Sequence, residues 1–345
     1  MRRIALVYSA NPTHGMMGMD MIRWARMGRR FKSLGFKAHL VTDRRRNVER
    51  LGRVQVKSTR GAEWQDYDAL KVCYQASIDL VPEHPHLIVR MCRVVDEEYP
   101  RRDAGRRAEL MRQQQRISEM AAMVAFNDVE NAERWKSIYG RPSQVLIVPT
   151  GCPEEIPEPS ESPFSPGRRI ALFCGSLTSH RFPGVLNRLA RRLRSANPDI
   201  ELHVVGKDSL VHYAGESEPI DRSAVHVHDP VDEIEAWQYI LHADVGIALA
   251  PSPDAFESEL SKIYYYLRGG LPVVTESVVP NRDVVREASH GTVACYDDLD
   301  DLAAKTLEAL QLPRRDAGVM HHMVERHSWQ QRAQIYVDAQ NARWQ

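Results

Sequence analysis

The chain has 345 residues, of which 43% are hydrophobic and 27% charged, and its formal net charge is zero. This length suits two domains of about 150 residues each, and the composition excludes a disordered, collagen-like or disulfide-stapled chain.

The zero net charge hides a strong asymmetry between the two halves of the chain. Residues 1–155 carry 27 Lys+Arg and 19 Asp+Glu, a balance of +8, and the remainder carries 19 and 27, a balance of −8. The basic half indicates an anionic partner, such as a lipid headgroup, a phosphorylated acceptor or nucleic acid. Solvated arginine-rich helices explain the same excess equally well.

Three features indicate the compartment. No window approaches the roughly 18 apolar residues of a membrane-spanning helix. The apolar run that follows the basic N-terminus is too short for a secretory signal and is typical of a first strand. The five cysteines are scattered with no CxxC pair, which favours free thiols over disulfides or a zinc site. We therefore expect a cytoplasmic protein.

The first half alternates strand and helix patterns in chain order. A β-branched run at 3–9 leads into a loop with Pro12, Gly15 and Gly18, and an amphipathic helix follows near 21–32. Further strand patterns cover 36–43, 68–75, 86–94, 123–128 and 144–151, with a helix pattern at 106–122. Such alternation predicts a parallel, doubly wound sheet.

A proline-rich stretch, 152–167, interrupts the alternation and is typical of an interdomain linker. The alternation then restarts, with strands at 169–176, 200–206, 224–229, 244–252 and 271–277. We predict an N-terminal Rossmann-like domain at 1–155, a linker at 156–167 and a second Rossmann-like domain at 168–327. A final helix at 328–345 either covers the second domain or crosses back to the first.

The segment "SELSKIYYYLRGGLPVVT", residues 258–275, places a lysine at the start of a helix. If Ser261 caps this helix, its unpaired backbone amides face the carboxyl end of the preceding strand. Helix N-termini favour anions, so Lys262 is a candidate for the second half of a phosphate clamp. The simpler alternative is a solvated lysine in an exposed first turn.

The stretch 168–330, which contains this segment, resembles the nucleotide-binding domain of GT-B glycosyltransferases, particularly the large retaining family that uses nucleotide-sugar donors. The segment "APSPDAFESELSKIYYYLRGGLPVV" carries the resemblance, and its Ser-Lys helix start is similar to that of bacterial polysaccharide transferases. The resemblance implies the α/β GT-B architecture, with two Rossmann-like domains facing across a cleft. It also implies sugar transfer to a glycan or lipid-linked acceptor without a metal or other cofactor.

The resemblance further implies a donor site in the second domain. Glu257 matches a loop glutamate of the family, and Tyr265 stands where the family has a second glutamate. Gly175 matches the diphosphate loop, in which Ser176 and Arg181 occupy the positions of an arginine and a lysine. The donor-binding residues expected on this basis are Gly175, Ser176, Arg181, Pro230, Val231, Glu257, Ser261, Lys262 and Tyr265.

An acceptor-side base is expected from the first domain. Asp96 follows a predicted strand and His14 lies in the first glycine loop, so both are catalytic candidates. Asp96 has an alternative role as an ion-pair partner of Arg93 or Arg101. Gly15 and Gly18 are expected to let the acceptor-side backbone approach the substrates.

Several alternatives stay open. His226 and His228 share a face of one strand, but two histidines without a third ligand are a weak metal site. The basic domain is expected to contact an anionic membrane peripherally, and no nucleic-acid partner is expected. A nucleotide-sugar-binding protein without transferase activity, or a sugar-nucleotide epimerase of the same fold, is the alternative function. Retention or inversion at the transferred sugar is undecided.

Overall fold

Two predominantly parallel sheets follow one another along the chain. The computed structural model describes residues 1–14, 18–44, 48–99, 104–140, 144–207, 218–253 and 259–344. The predicted α/β class with two Rossmann-like domains is confirmed.

Within the described residues, the N-terminal sheet has eight strands in the order β3-β4-β2-β1-β5-β6-β7-β8. All neighbours are parallel except β3 and β4, which form an antiparallel hairpin at the sheet edge. This hairpin is absent from the predicted elements, because β3 is only two residues long. The strands are β1 Arg3–Val7, β2 Lys37–Thr42, β3 Arg50–Leu51, β4 Val54–Ser58, β5 Ala69–Val72, β6 Leu87–Arg90, β7 Met123–Phe126 and β8 Val145–Ile147.

The C-terminal sheet contains six described strands in the order β11-β10-β9-β12-β13-β14, and every pairing is parallel. Strand order reverses beside β1 in the first sheet and beside β9 in the second. Ligands of open α/β sheets bind at such reversals, beyond the carboxyl ends of the strands. The strands are β9 Arg169–Cys174, β10 Ile200–Val205, β11 Val225–His228, β12 Val245–Ala248, β13 Val273–Glu276 and β14 Gly291–Ala294.

Helices cover the faces of both sheets. In the described part of the chain, no helix combines the length and apolarity that crossing a bilayer requires. The helices are α1 Met19–Ser33, α2 Ala104–Met120, α3 Val129–Tyr139, α4 Arg181–Ala196, α5 Glu233–His242, α6 Ser261–Arg268, α7 Arg282–Glu287, α8 Leu299–Ala309, α9 Ala317–His327 and α10 Trp329–Trp344.

The last helix, α10, packs on the N-terminal domain. Tyr336 lies against Phe31 of α1 with ring centroids 6.2 Å apart, and Trp344 lies 6.1 Å from Phe36. Trp329 and Val337 belong to the same core cluster as the first strands. The helix therefore supplies part of the core of the first domain although it follows the second in sequence.

Polar contacts join the domains beside the cleft. Arg26 of α1 forms an ion pair with Glu233 of α5 at 2.9 Å, and the backbone amide of Thr150 donates to Glu259 at 2.6 Å. The proline-rich stretch lies along α5, where Gln238 accepts from the amide of Ser160 at 2.7 Å. The approach of the two domains thus depends on α1, α5 and the segment that precedes α6.

We expect Tyr336→Ala to lower the free energy of unfolding by about 3–5 kcal/mol, because a buried aromatic ring is removed from the first core. The matched control Asp338→Ala changes an exposed position of the same helix and should stay within about 0.5 kcal/mol of the parent. Urea unfolding measures both. Equal stabilities of the two variants would show that α10 is dispensable to the core.

Candidate functional site

A cleft of about 480 Å³ lies between the two domains. Its N-terminal wall is formed by the start of α1 and the chain that follows β6. Its C-terminal wall is formed by the end of β9 and the first turns of α5 and α6. Both walls thus lie at carboxyl ends of parallel strands, next to the reversals of strand order. The charged residues that line it are Asp20, Arg23, Arg90, Arg93, Asp232, Glu233, Glu259 and Lys262.

Lys262 lies on the C-terminal wall in the first turn of α6. Its Nζ lies 3.4 Å from the centroid of the Phe173 ring, which is a cation–π contact. The side chain keeps some exposure to the cleft, and among the described residues its ammonium group has no carboxylate partner. Burial lowers the pKa of Lys262 to about 7, and the Cys174 thiol only partly opposes this shift. An anion in the cleft would restore the charged form.

Gly175, which follows β9, lies against this lysine. Its φ of 140° is favourable for glycine, and a Cβ there would lie 3.3 Å from both Cε and Nζ of Lys262. Gly206, after the neighbouring strand, packs closely against the same loop, since a Cβ added at this position would lie 2.2 Å from the carbonyl oxygen of Gly175. The two glycines let backbone and lysine approach one small volume of the cleft.

Ser261 is the first helical residue of α6, so the expectation that it caps the helix is wrong. The cap position belongs to Leu260, whose side chain is apolar and makes no capping bond. Asn281 fixes the helix start instead, since its side chain accepts from the Leu260 amide at 2.8 Å and donates to the Leu260 carbonyl at 3.1 Å. Ser261 still lines the cleft.

Other predicted donor residues lie around two adjoining cavities. Ser176 and Val231 line the cleft, whereas Pro230 lines a second cavity of about 440 Å³ together with His228 and Lys207. The cavities adjoin, because Ser176 and Val231 line the cleft and their chain neighbours Leu177 and Pro230 line the second cavity. The C-terminal domain therefore offers an elongated depression beside Gly175.

Tyr265 lines the cleft but is already engaged. Its hydroxyl donates to the buried carboxylate of Glu233 at 3.1 Å, and its ring stacks on Trp237 with centroids 5.1 Å apart. Burial and the Glu233 charge raise the pKa of Tyr265 far above its usual range. The hydroxyl thus retains only acceptor capacity toward a ligand.

The phosphate contact predicted for Arg181 needs correction. Its guanidinium forms an ion pair with Glu276, a side chain that is 1% exposed, and donates to the carbonyl of Ala250 at 3.1 Å. Asp297 and the Tyr296 ring hold the other side of the guanidinium. Arg181 does not line the cleft, because neutralising the buried Glu276 requires it elsewhere.

The structure also contradicts a role of Asp96 in the cleft. Its carboxylate forms an ion pair with Arg134 of α3 and accepts from the amide of Glu98 at 3.1 Å, and it is not among the cleft-lining residues. The partner is therefore an arginine other than the two considered from sequence. Gly18, with φ of 81°, precedes α1 and lines the cleft. Gly15, Glu257 and the side chain of His14 lie outside the described residues.

Of the eight charged residues that line the cleft, the sequence reasoning found only Lys262 and missed seven: Asp20, Arg23, Arg90, Arg93, Asp232, Glu233 and Glu259. The helical pattern of α1 places Arg23 off the apolar stripe, but the side chain is buried and donates hydrogen bonds to Asp20 and Thr150. Arg90 ends the buried strand "LIVR", and a charge at the carboxyl end of such a strand was the available signal. Burial raises the pKa of Glu259, whose carboxylate accepts hydrogen bonds from the Tyr264 hydroxyl and the Thr150 amide.

Two histidine clusters lie away from the cleft lining. Glu201, His203 and His226 have ligand atoms close enough to share a cation, and His228 bonds His203 at 2.9 Å. In the other cluster, of Glu287, His322 and His327, Arg332 donates to Nδ1 of His327 at 2.8 Å. Neutral His327 therefore carries its proton on Nε2, which disfavours metal ligation by that atom.

Comparisons with known proteins agree with this geometry. The chain is similar to sucrose-phosphate synthase (tll1590) from Thermosynechococcus elongatus, with a TM-score of 0.73, 14% identity and coverage of 99% of this chain and 100% of that chain. It is also similar to Anabaena Alr3699/HepE in complex with UDP-glucose, with a TM-score of 0.72, 12% identity and coverage of 99% of this chain and 100% of that chain. Similarity to WaaG, a glycosyltransferase involved in lipopolysaccharide biosynthesis, has a TM-score of 0.61, 14% identity and coverage of 97% of this chain and 95% of that chain. No curated protein sequence matches the chain.

The shared two-domain fold with its interdomain cleft is the GT-B fold, which glycosyltransferases of known structure adopt. More particularly, residues 168–312 match the model of the family described as Glycosyl transferases group 1. The resemblance stated from sequence is confirmed.

The ion pair of Arg181 gives a stability prediction. Arg181→Ala should lower the free energy of unfolding by about 3–5 kcal/mol, because Glu276 is left buried without its partner. The joint change Arg181→Met with Glu276→Met should lose far less, since neither charge then stays buried alone. Chemical unfolding decides the matter: an Arg181→Ala protein as stable as the parent would return Arg181 to the candidate phosphate ligands.

Proposed function

We propose that the protein transfers a hexose from a nucleoside-diphosphate donor, bound on the C-terminal wall of the cleft, to a glycan or lipid-linked acceptor on the N-terminal wall. The observation that carries this proposal is Lys262. It is a partly buried cation at a helix start, touching a glycine loop and lacking a carboxylate partner among the described residues.

The proposed leaving group is the nucleoside diphosphate, on which negative charge grows as the sugar–oxygen bond breaks. Lys262 and the first backbone amides of α6 are placed to stabilise that charge. The second cavity, of about 440 Å³ beside Pro230, adjoins the first and is the proposed place for the base end of the donor. Among solved relatives of the same fold, one was determined in complex with UDP-glucose, which makes UDP the first nucleotide to test.

We further propose that the reaction needs no metal, because a lysine and helix amides supply the positive charge that a cation would otherwise provide. The five free cysteines support a cytoplasmic location. The excess of basic residues in the first half supports a peripheral contact with an anionic membrane, where a lipid-linked acceptor would lie. His14 stays a candidate base for the acceptor hydroxyl.

Lys262 gives a pH prediction. Because its pKa is about 7 in the free protein, a bound diphosphate must raise that pKa, so binding above pH 7 takes up a proton. UDP affinity should therefore be highest near pH 7 and fall between pH 7.5 and 9, by up to about tenfold per pH unit. The terminal phosphate of UDP, with a second pKa of about 6, is already ionised in that range.

Isothermal titration calorimetry at several pH values measures this decline. The Lys262→Arg variant provides the matched control, because a guanidinium stays charged throughout and its UDP affinity should not vary with pH in this range. Lys262→Met should lose most UDP affinity at every pH. If Lys262→Met binds UDP as tightly as the parent, the lysine is not a phosphate ligand.

The transfer reaction itself is tested by release of UDP from UDP-hexoses. We expect release to rise when a cell-envelope lipid and glycan extract is added, and to persist in EDTA. Conversion of the donor to another UDP-hexose without acceptor would favour an epimerase. Tight donor binding with no release in any mixture would favour a binding protein.

A further inference from the structure

The N-terminal wall of the cleft holds a group of buried cations that the donor site does not use. Arg23 and Arg90 are 6% and 3% exposed, and both guanidinium groups approach the same carboxylate. Asp20 accepts from Arg23 at 3.0 Å and lies 3.8 Å from Arg90. Their remaining bonds go to uncharged groups, which are the Thr150 hydroxyl, the Asn127 amide oxygen and the Cys92 sulfur.

A third buried cation lies beneath these two. Lys71 is fully buried on β5, with its Nζ 4.5 Å from the Tyr336 ring centroid and 3.7 Å from the Cys73 sulfur. Burial raises the pKa of the Cys73 thiol, and Lys71, Arg90 and Arg23 each oppose that rise, so all three charges lie close to it. Among the described residues of this wall, Asp20 is the carboxylate that lines the cleft.

The balance of charge on this wall is therefore positive. Buried charges without partners are costly, and a charged ligand that supplies the missing counter-charge recovers that cost on binding. Glu259 faces Arg23 from the opposite wall, but burial raises its pKa and its oxygens already accept from Thr150 and Tyr264. Arg93, which also lines the cleft, adds a further cation.

The position of this group suits an acceptor. Arg90 and Asn127 lie at the carboxyl ends of β6 and β7, and Asp20 and Arg23 lie in the first turns of α1. Lys262 occupies the opposite wall. Guanidinium groups bind phosphate oxygens in bidentate fashion, which neither a neutral sugar nor a hydroxyl can match.

We infer that the N-terminal wall is an anion subsite and that the acceptor carries a phosphate group, which Arg90 and Arg23 bind. This inference rests on the proposed transferase function and specifies its acceptor class. The phosphate belongs either to a soluble sugar phosphate or to a lipid phosphate headgroup. In both cases the guanidinium groups hold the phosphate while a hydroxyl of the acceptor faces the donor sugar.

The test uses the full-length protein saturated with UDP, with calorimetric titration of glucose 6-phosphate and of glucose. We expect glucose 6-phosphate to bind and glucose not to bind. A second arm measures co-sedimentation of the same complex with phosphatidylcholine vesicles that do or do not contain phosphatidate. Binding in the first arm identifies a soluble source of the phosphate, and phosphatidate-dependent binding in the second identifies a lipid source.

Arg90→Gln should weaken the phosphate ligand that binds by at least about tenfold and leave UDP affinity unchanged. Lys262→Met should weaken UDP binding and leave the affinity for the phosphate ligand unchanged. Lys32→Gln, an exposed cation of α1, is the matched control and should change neither. If Arg90→Gln fails to fold, as loss of UDP binding would show, Arg93→Gln and Arg23→Gln replace it in the same titrations.

The outcomes separate the two proposals. Failure of UDP to bind the parent protein would remove UDP as the proposed donor nucleotide, whatever the phosphate ligands do. UDP binding without any response to glucose 6-phosphate or phosphatidate would overturn the anion subsite alone. So would phosphate binding that is equally tight in the parent and in all the folded arginine variants.

Discussion

The site depends on a lysine held in an environment that disfavours its charge. Lys262 lies over an aromatic ring, against a glycine loop and at the start of a helix, where the backbone dipole is already positive. Burial and the positive helix start make the ammonium group costly without an anion, whereas the Phe173 ring stabilises it through the cation–π contact. The proposed diphosphate ligand would compensate the lysine and the helix amides together.

The two walls of the cleft differ in the charge of the residues that line them. The C-terminal wall combines one lysine with Asp232, Glu233 and Glu259, and Glu233 is bonded by Arg26 and Tyr265. The N-terminal wall combines three arginines with Asp20. The excess of basic residues in the first half of the sequence thus has a counterpart inside the cleft. Because α1 carries both Arg23 and Arg26, one helix connects the anion subsite to the domain contact.

Sequence reasoning succeeded where a residue acts through its neighbours in the chain. The strand–loop–helix unit around Lys262 was predicted from local pattern and Gly175 from the family resemblance, and the structure brings both together. It failed where the partner is distant. Arg181 is bonded by Glu276, 95 positions away, and Arg23 by Thr150, 127 positions away. Arg23 lies off the apolar stripe of α1, yet Thr150 and the Trp329 ring, both distant in sequence, contact it there.

By itself the sequence determined the alternation of strands and helices, the two-domain class and the lysine at the start of α6. Those properties follow from periodicity and from residues a few positions apart, which the chain encodes locally. Only the tertiary structure decided that Arg181 and Asp96 are occupied by ion pairs and that Arg23 and Arg90 are buried in the cleft. It also decided that α10 completes the first core. Such outcomes depend on which charges and surfaces meet after folding, and sequence spacing does not contain that information.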